Sequence, residues 1–316
     1  MLNSTQVSVF VLGGYFHAKH LKVLLFLLVL GVYALIVFCN LLLIVVICVS
    51  RSLHEPMFLF LCSLFVNELL GSSGLFPFLL LQILADVHRV SAPLCFLQVF
   101  VVHSYGAVEF FMLAVMSYDR LVAVCHPLQY HSVLTWRKSA ALTAAPWVAA
   151  VLLIVCTTSL SFPLQRCRNF IPKVYCDNFS MVKLACSDTT LNNVYGLLLT
   201  LLGVGLPVAF TLYSYARILR VCLSGSKQTR HKAVSTCTPH LASLLNFSFG
   251  CVFEIVQSRF DMSGVPGVLR VLLSLYFLTC QPLFTPLLYG LKMTRIRSAC
   301  LRLLPPRAGP GARASV

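Results

Sequence analysis

Three carboxylates stand inside long apolar stretches of this chain: Glu68, Glu109 and Glu254. An ionised group is costly there, so each is a functional-site hypothesis by default, weighed against a satisfied structural hydrogen bond. Glu68 and Glu109 lie mid-stretch and could jointly hold a cation; without one, neighbouring carboxylates raise each other's pKa, so one can instead be protonated. Glu254 lies near the end of its stretch, where it would simply reach water. Asp119-Arg120 pairs a carboxylate with a planar five-donor guanidinium, which can be held and then released to a partner. The plainer alternative is an Arg snorkelling to an interface. Arg259 and His103 suggest an anionic ligand, whose carboxylate would pair with the guanidinium and accept a hydrogen bond from the imidazole. Against this stand an interfacial anchor and a core histidine. There is no phosphate loop, nucleophile elbow, HExxH or CxxC, so catalysis is not expected.

The elements that must position these groups are set by composition. Of 316 residues, 59% are hydrophobic and 10% charged, which excludes an ordinary soluble domain. The formal charge of +15 suggests nucleic acid or an anionic membrane surface as partner, and the apolar content decides for membrane lipid and against nucleic acid. Seven stretches are long enough to span and almost free of charge: 23–49, 57–85, 94–118, 140–164, 189–216, 233–257 and 271–291. Lipid cannot satisfy open backbone groups, and the runs lack the alternation of barrel strands, so the expected fold is an all-α seven-helix bundle. With the amino terminus outside, fifteen of the 24 Lys and Arg fall on the inner side, as expected of cytoplasmic loops. The first stretch is too long for a cleaved signal and reads as a retained helix. Segment 292–304 alternates basic and apolar positions and reads as an amphipathic helix on the membrane surface, with Cys300 placed for palmitoylation. Beyond it, 305–316 has the composition of a disordered tail.

Nine of the fourteen cysteines lie in or beside the apolar stretches and behave as small hydrophobes. Four, Cys95, Cys167, Cys176 and Cys186, face the oxidising side, and four cysteines allow three pairings. A metal site is disfavoured, because the loop offers no nearby histidine and no CxxC spacing. Asn3-Ser4-Thr5 fits an N-glycosylation acceptor on an outside amino terminus. A small-molecule cavity belongs in the outer half of the bundle. Val99, Val102, His103, Gly106 and Ala107 form one face of the third helix, and Cys251, Val252, Ile255, Ser258 and Arg259 one face of the sixth. Asn178 from the long outer loop is a further candidate contact.

The segment Met116–Leu128, reading MSYDRLVAVCHPL, resembles the signature MAYDRYVAICxPL of odorant receptors within the rhodopsin-like G-protein-coupled receptors. Leu53–Phe58 (LHEPMF) resembles LHxPMY at the start of the second helix, and Lys232–Leu241 resembles KAxSTCxSHL at the start of the sixth. Three cysteines in the long outer loop add to the likeness, which runs from about residue 40 to 297. It implies a seven-transmembrane receptor domain over 1–291 in the plasma membrane, with an extracellular amino terminus (1–22) and a cytoplasmic carboxyl terminus. It implies the disulfides Cys95–Cys176 and Cys167–Cys186, an interior sodium site at Glu68 and Glu109, and a switch made of Asp119, Arg120 and Tyr289. It also implies an odorant ligand and a stimulatory heterotrimeric G protein that raises cyclic AMP. Thr285 stands where the family has the Asn of Asn-Pro-x-x-Tyr, Glu68 where Asp is commoner, and Leu121 where Tyr is usual. A non-olfactory chemosensory receptor of the same class is the nearest alternative. A secondary transporter is more distant, since no internal repeat is found.

Overall fold

A computed structural model describes residues 7–15, 22–224, 227–260 and 264–303, with the side chains at 227–236, 277 and 303 left aside. Asn3 and the tail 305–316 lie outside the described residues. The long helices are α1 (Lys22–Val49), α2 (Pro56–Leu84), α3 (Ala92–Cys125), α5 (Trp136–Ser161), α7 (Thr190–Thr200) running through a π turn at Leu201–Gly205 into α8 (Leu206–Ser224), α9 (Lys227–Arg259) and α10 (Gly267–Lys292). Short helices α4 (Tyr130–Val133) and α6 (Asn178–Val182) lie between them, and α11 (Thr294–Leu303) follows α10. Six spans are long and apolar enough to cross a membrane, and α10 makes the seventh, bent by 43° between Gly267–Tyr276 and Leu278–Lys292. The protein is therefore a multi-pass bundle of seven helices. On α1, Val23 and Leu24 are 65% and 64% exposed, which is tolerable only against lipid. Leu61, Leu64, Phe65, Met112 and Met116 pack the interior between α2 and α3.

Local chemistry places the ends and breaks. Pro56 opens α2 and a Pro lies in the first turn of α3, where the missing N–H costs nothing. Pro282 cannot donate to the carbonyl four residues earlier, just after the bend in α10. Its own carbonyl accepts from Asn40 Nδ2 of α1 at 2.9 Å. The π turn precedes Pro207, which again removes a helical donor.

Three of the helices clearly outrun the apolar stretches that announce them, while the fourth, expected over 140–164, runs from Trp136 to Ser161. The third span, expected over 94–118, continues to Cys125, so Asp119 and Arg120 sit within the helix and not at its end. The fifth, expected to stop at 216, reaches Ser224, and the sixth covers 227–259 in place of 233–257. Arg217 and Arg220 of the fifth helix are exposed and keep their charge in water, and Arg120 of the third is paired with Asp119, so in both the backbone stays helical past the apolar run. A second departure is a three-stranded sheet in the order β2-β1-β3. Strand β1 (Val9–Leu12) pairs antiparallel with β2 (Arg89–Ser91) and parallel with β3 (Phe170–Ile171). Val9–Leu12, in a segment expected to be extracellular and given no secondary structure, form the middle strand over one end of the bundle, here the loop end.

Candidate functional site

A cavity of about 240 Å³ opens at the loop end between α3, α5, α7 and α9. Val102, His103, Gly106 and Ala107 of α3 line it, with Asn178 of α6 and Cys251, Ile255, Ser258 and Arg259 of α9. Two expected contacts are misplaced. Val99 is 1% exposed and packs with Cys95, Cys176 and Met181 under the loop, one turn away from the cavity. Val252 is 54% exposed and points off the bundle, because one step along a helix turns a side chain by about 100° from Cys251. Contacts that no helical stripe announced come from α5 (Leu153, Ile154, Thr157), from α7 (Asn192, Asn193, Thr200), and from Tyr175, Asp177 and Phe179 of the loop. Two adjacent asparagines in an apolar span were the one available signal.

Gly106 faces open space: a Cβ there would meet nothing within 4 Å. His103 Nδ1 lies 2.9 Å from the Val99 carbonyl, which can only accept, so Nδ1 carries the proton. In the neutral ring Nε2 is then an acceptor. Donation from His103 to a carboxylate, as expected from the sequence, would require a second proton on the ring, at Nε2. Arg259 lies 4.6 Å from the Phe179 ring centroid in a cation–π arrangement.

The loop roof is tied down at several points. Cys95 is bonded to Cys176 and Cys167 to Cys186. Gln98 Oε1 accepts from the Cys176 N–H at 2.8 Å. Lys173 donates to Glu254, to Ser258 Oγ at 2.7 Å and to Asp177 at 3.0 Å. Glu254 also accepts from Tyr175 at 2.7 Å and from Ser274 at 2.8 Å, so it is engaged by the loop and by α10 and does not simply reach water. Burial disfavours the Lys173 ammonium, but Asp177 and Glu254 outweigh that and hold its pKa above the usual lysine value. Burial likewise disfavours the Asp177 carboxylate, yet Lys173 and the hydrogen bonds from Ser180 hold its pKa below the usual carboxylate value.

Deeper in the bundle, Glu109 accepts from Asn67 at 3.1 Å and Gln281 at 3.0 Å. Both oxygens of Glu68 are buried, and although the Thr285 hydroxyl lies close enough to interact with the carboxylate, neither they nor Ser72 Oγ, Asn67 Oδ1 or Thr285 Oγ1 makes a hydrogen bond of ordinary geometry among the described residues. An oxygen-rich cluster of this kind fits a hard cation. At the opposite end, Asp119 Oδ2 accepts from Arg120 Nε at 2.8 Å and also from its terminal nitrogen, while Tyr130 donates to Asp119 Oδ1 at 2.7 Å. Tyr289 Oη lies 3.0 Å from His240 Nδ1. Arg295 of α11 pairs with Glu55 at 2.6 Å. Cys300 is partly buried against the inner core, and burial raises its thiol pKa.

Seven apolar helices, a roofed cavity at one end and a paired Arg120–Asp119 at the other define a multi-pass helical membrane protein with a cavity open toward one side. The family model described as "Olfactory receptor" matches residues 29–307. The chain is 34% identical to olfactory receptor 6E1 of Mus musculus over 299 residues, covering 94% of this chain and 95% of that protein. It is 34% identical to olfactory receptor 52K1 of Homo sapiens over 307 residues, covering 96% of each. The chain belongs to the olfactory receptor family, a family of receptors and not of enzymes.

Proposed function

We propose that the cavity at the loop end binds a small odorant and that binding biases the opposite end toward a heterotrimeric G protein of the stimulatory, cyclic AMP-raising type. The observation that carries this reading is the cavity itself, mostly apolar, with a few polar groups and a roof tied to α3 by the Cys95–Cys176 bond. A ligand shifts the arrangement only by binding the active state more tightly, so the contacts that matter are those to the moving element. Helix α9 supplies Cys251, Ile255, Ser258 and Arg259 to the cavity and runs on to His240 and beyond, so it links guest to partner. In this reading its far end swings away from α3 and α10, releases His240 from Tyr289, and uncovers Arg120 for the G protein.

The loop end is extracellular and the carboxyl terminus cytoplasmic, in keeping with the excess of Lys and Arg toward the other end. Arg259 is the natural partner for an anionic odorant group, while neutral His103 accepts from a hydroxyl or an un-ionised acid. A sodium ion would take Glu68, supported by Glu109, and hold the resting arrangement by neutralising charge between α2 and α3. The test is a ligand panel read through cyclic AMP in cells expressing the chain, with wild type, Arg259→Ala and Asp119→Asn compared at equal surface expression. Current or solute uptake without nucleotide exchange on a G protein would refute the reading.

A further inference from the structure

The cavity wall carries two carboxylates, Asp177 and Glu254, and one guanidinium, Arg259. Left to themselves these sum to a net negative charge, which would favour amines. Lys173 does not line the cavity; its side chain is 4% exposed and lies behind both carboxylates, 3.0 Å from Asp177 and in direct contact with Glu254. Lys183 is the other lysine at this wall, donating to the Ser258 carbonyl at 2.8 Å and lying 4.6 Å from the Phe179 ring centroid, but it is exposed and its charge is screened by water. Among the buried or cavity-lining groups Asp177, Glu254, Arg259 and Lys173, the charges balance only because Lys173 is there.

The remaining acceptor capacity of both carboxylates is also turned away from a guest. Glu254 takes hydrogen bonds from Tyr175 and Ser274, and Asp177 takes them from the backbone N–H and the hydroxyl of Ser180. Arg259 has no carboxylate partner among the described residues, and its contact with Phe179, made through the face of the guanidinium, does not use its in-plane donors.

We infer that Lys173 determines the sign of charge the cavity accepts, silencing Asp177 and Glu254 so that Arg259 selects guests bearing a carboxylate or similar anion over amines. This rests on the reading of the cavity as the ligand site. Lys173 is a positioning residue, acting through two carboxylates and without touching the guest.

Cys251 lines the cavity and serves as a built-in reporter. Purified full-length receptor is treated with an anionic and a cationic methanethiosulfonate of similar size, and the labelling rate of the Cys251 peptide is measured for each. Their ratio reads the local potential and cancels the reactivity of the thiol itself. Lys173→Met adds one net negative charge, and the anionic-to-cationic ratio falls roughly tenfold. Glu254→Gln raises it by a similar factor, and the double variant K173M/E254Q returns it to near the wild-type value. Lys173→Arg leaves it unchanged.

A ratio that does not move in K173M and E254Q overturns the proposal, as does one that moves the same way in both. So does a native protein whose Cys251 neither reagent reaches although the unfolded chain is labelled, because a charged guest then has no access. Should K173M fail to fold, E254Q and the double variant still decide the question. In cells, K173M gains responses to medium-chain primary amines and loses those to the matching acids. If labelling follows charge while no guest raises cyclic AMP, the inference stands and the signalling reading fails.

Discussion

Tyr15 and Val174 stand 159 positions apart, and the phenol of the first donates to the carbonyl of the second at 2.7 Å. That bond, with Gly13 N–H to the Ile171 carbonyl at 2.7 Å and Gly14 N–H to the Lys173 carbonyl at 3.1 Å, fastens the amino-terminal segment to the stretch of loop that carries Lys173. A Cβ on Gly14 would lie 2.6 Å from the Lys173 carbonyl carbon and 2.7 Å from the Val174 nitrogen, both backbone atoms that cannot rotate away.

Tyr15→Phe should therefore lower stability by about 1 kcal/mol, the loss of one partly buried hydrogen bond. Gly14→Ala should cost more, because the two segments must separate. Hydrogen exchange over 169–175 checks both: it should quicken modestly in the first variant and strongly in the second. Equal protection in G14A and wild type would contradict the fastening.

The opposite end predicts basal signalling. Asp119 accepts from both Arg120 and Tyr130, so Asp119→Asn should weaken the hold on the guanidinium more than Tyr130→Phe does. Basal cyclic AMP at matched surface expression should rise most in D119N, less in Y130F, and not at all when Arg120 is also replaced by Ala.

Gly106 separates cavity volume from stability. Since its missing side chain would meet open space, Gly106→Leu should leave the melting temperature within a few degrees of wild type. It should nevertheless weaken odorant responses by roughly tenfold or more, because a leucine side chain takes up a large share of the about 240 Å³ available. A large fall in melting temperature with unchanged potency would place the guest elsewhere.

The loop roof should also have a defined pH response. Asp177 has its pKa depressed in the folded state, so its contribution is present above the unfolded value near about 3.9 and is lost as pH falls through the depressed folded value. Lys173 has its pKa raised, so its contribution is full below about 10.4 and is lost as pH climbs past the raised folded value. Protection of 170–182 from hydrogen exchange, corrected for the intrinsic rate, should be flat across neutral pH. Asp177→Asn keeps a helix-capping side chain but loses the charge, so its deficit at pH 7 should shrink as the wild-type carboxylate is protonated in acid.

The spans were legible because each is set locally, by a run of side chains and the need to satisfy its backbone. Their ends were less so, since Leu121–Cys125 continues a helix whose apolar run stops at Tyr118. On α3, four of five expected cavity contacts face the cavity, and on α9, four of five, with Val99 and Val252 displaced to neighbouring surfaces. Glu254 was expected to meet water and instead meets Lys173, Tyr175 and Ser274, none of which is near it in sequence.

What the chain alone determined is that it must cross a membrane as helices, since so much apolar surface and so little charge admit no other solvent. Which residues meet was decided by tertiary structure: Tyr15 with Val174, Lys173 with Glu254, Asn40 with the Pro282 carbonyl. A side chain's partners follow from how far its helix is rotated and where a distant loop is tethered. Rotation is settled only when all the helices pack together, because a one-residue error turns a side chain by about 100° and exchanges cavity for lipid.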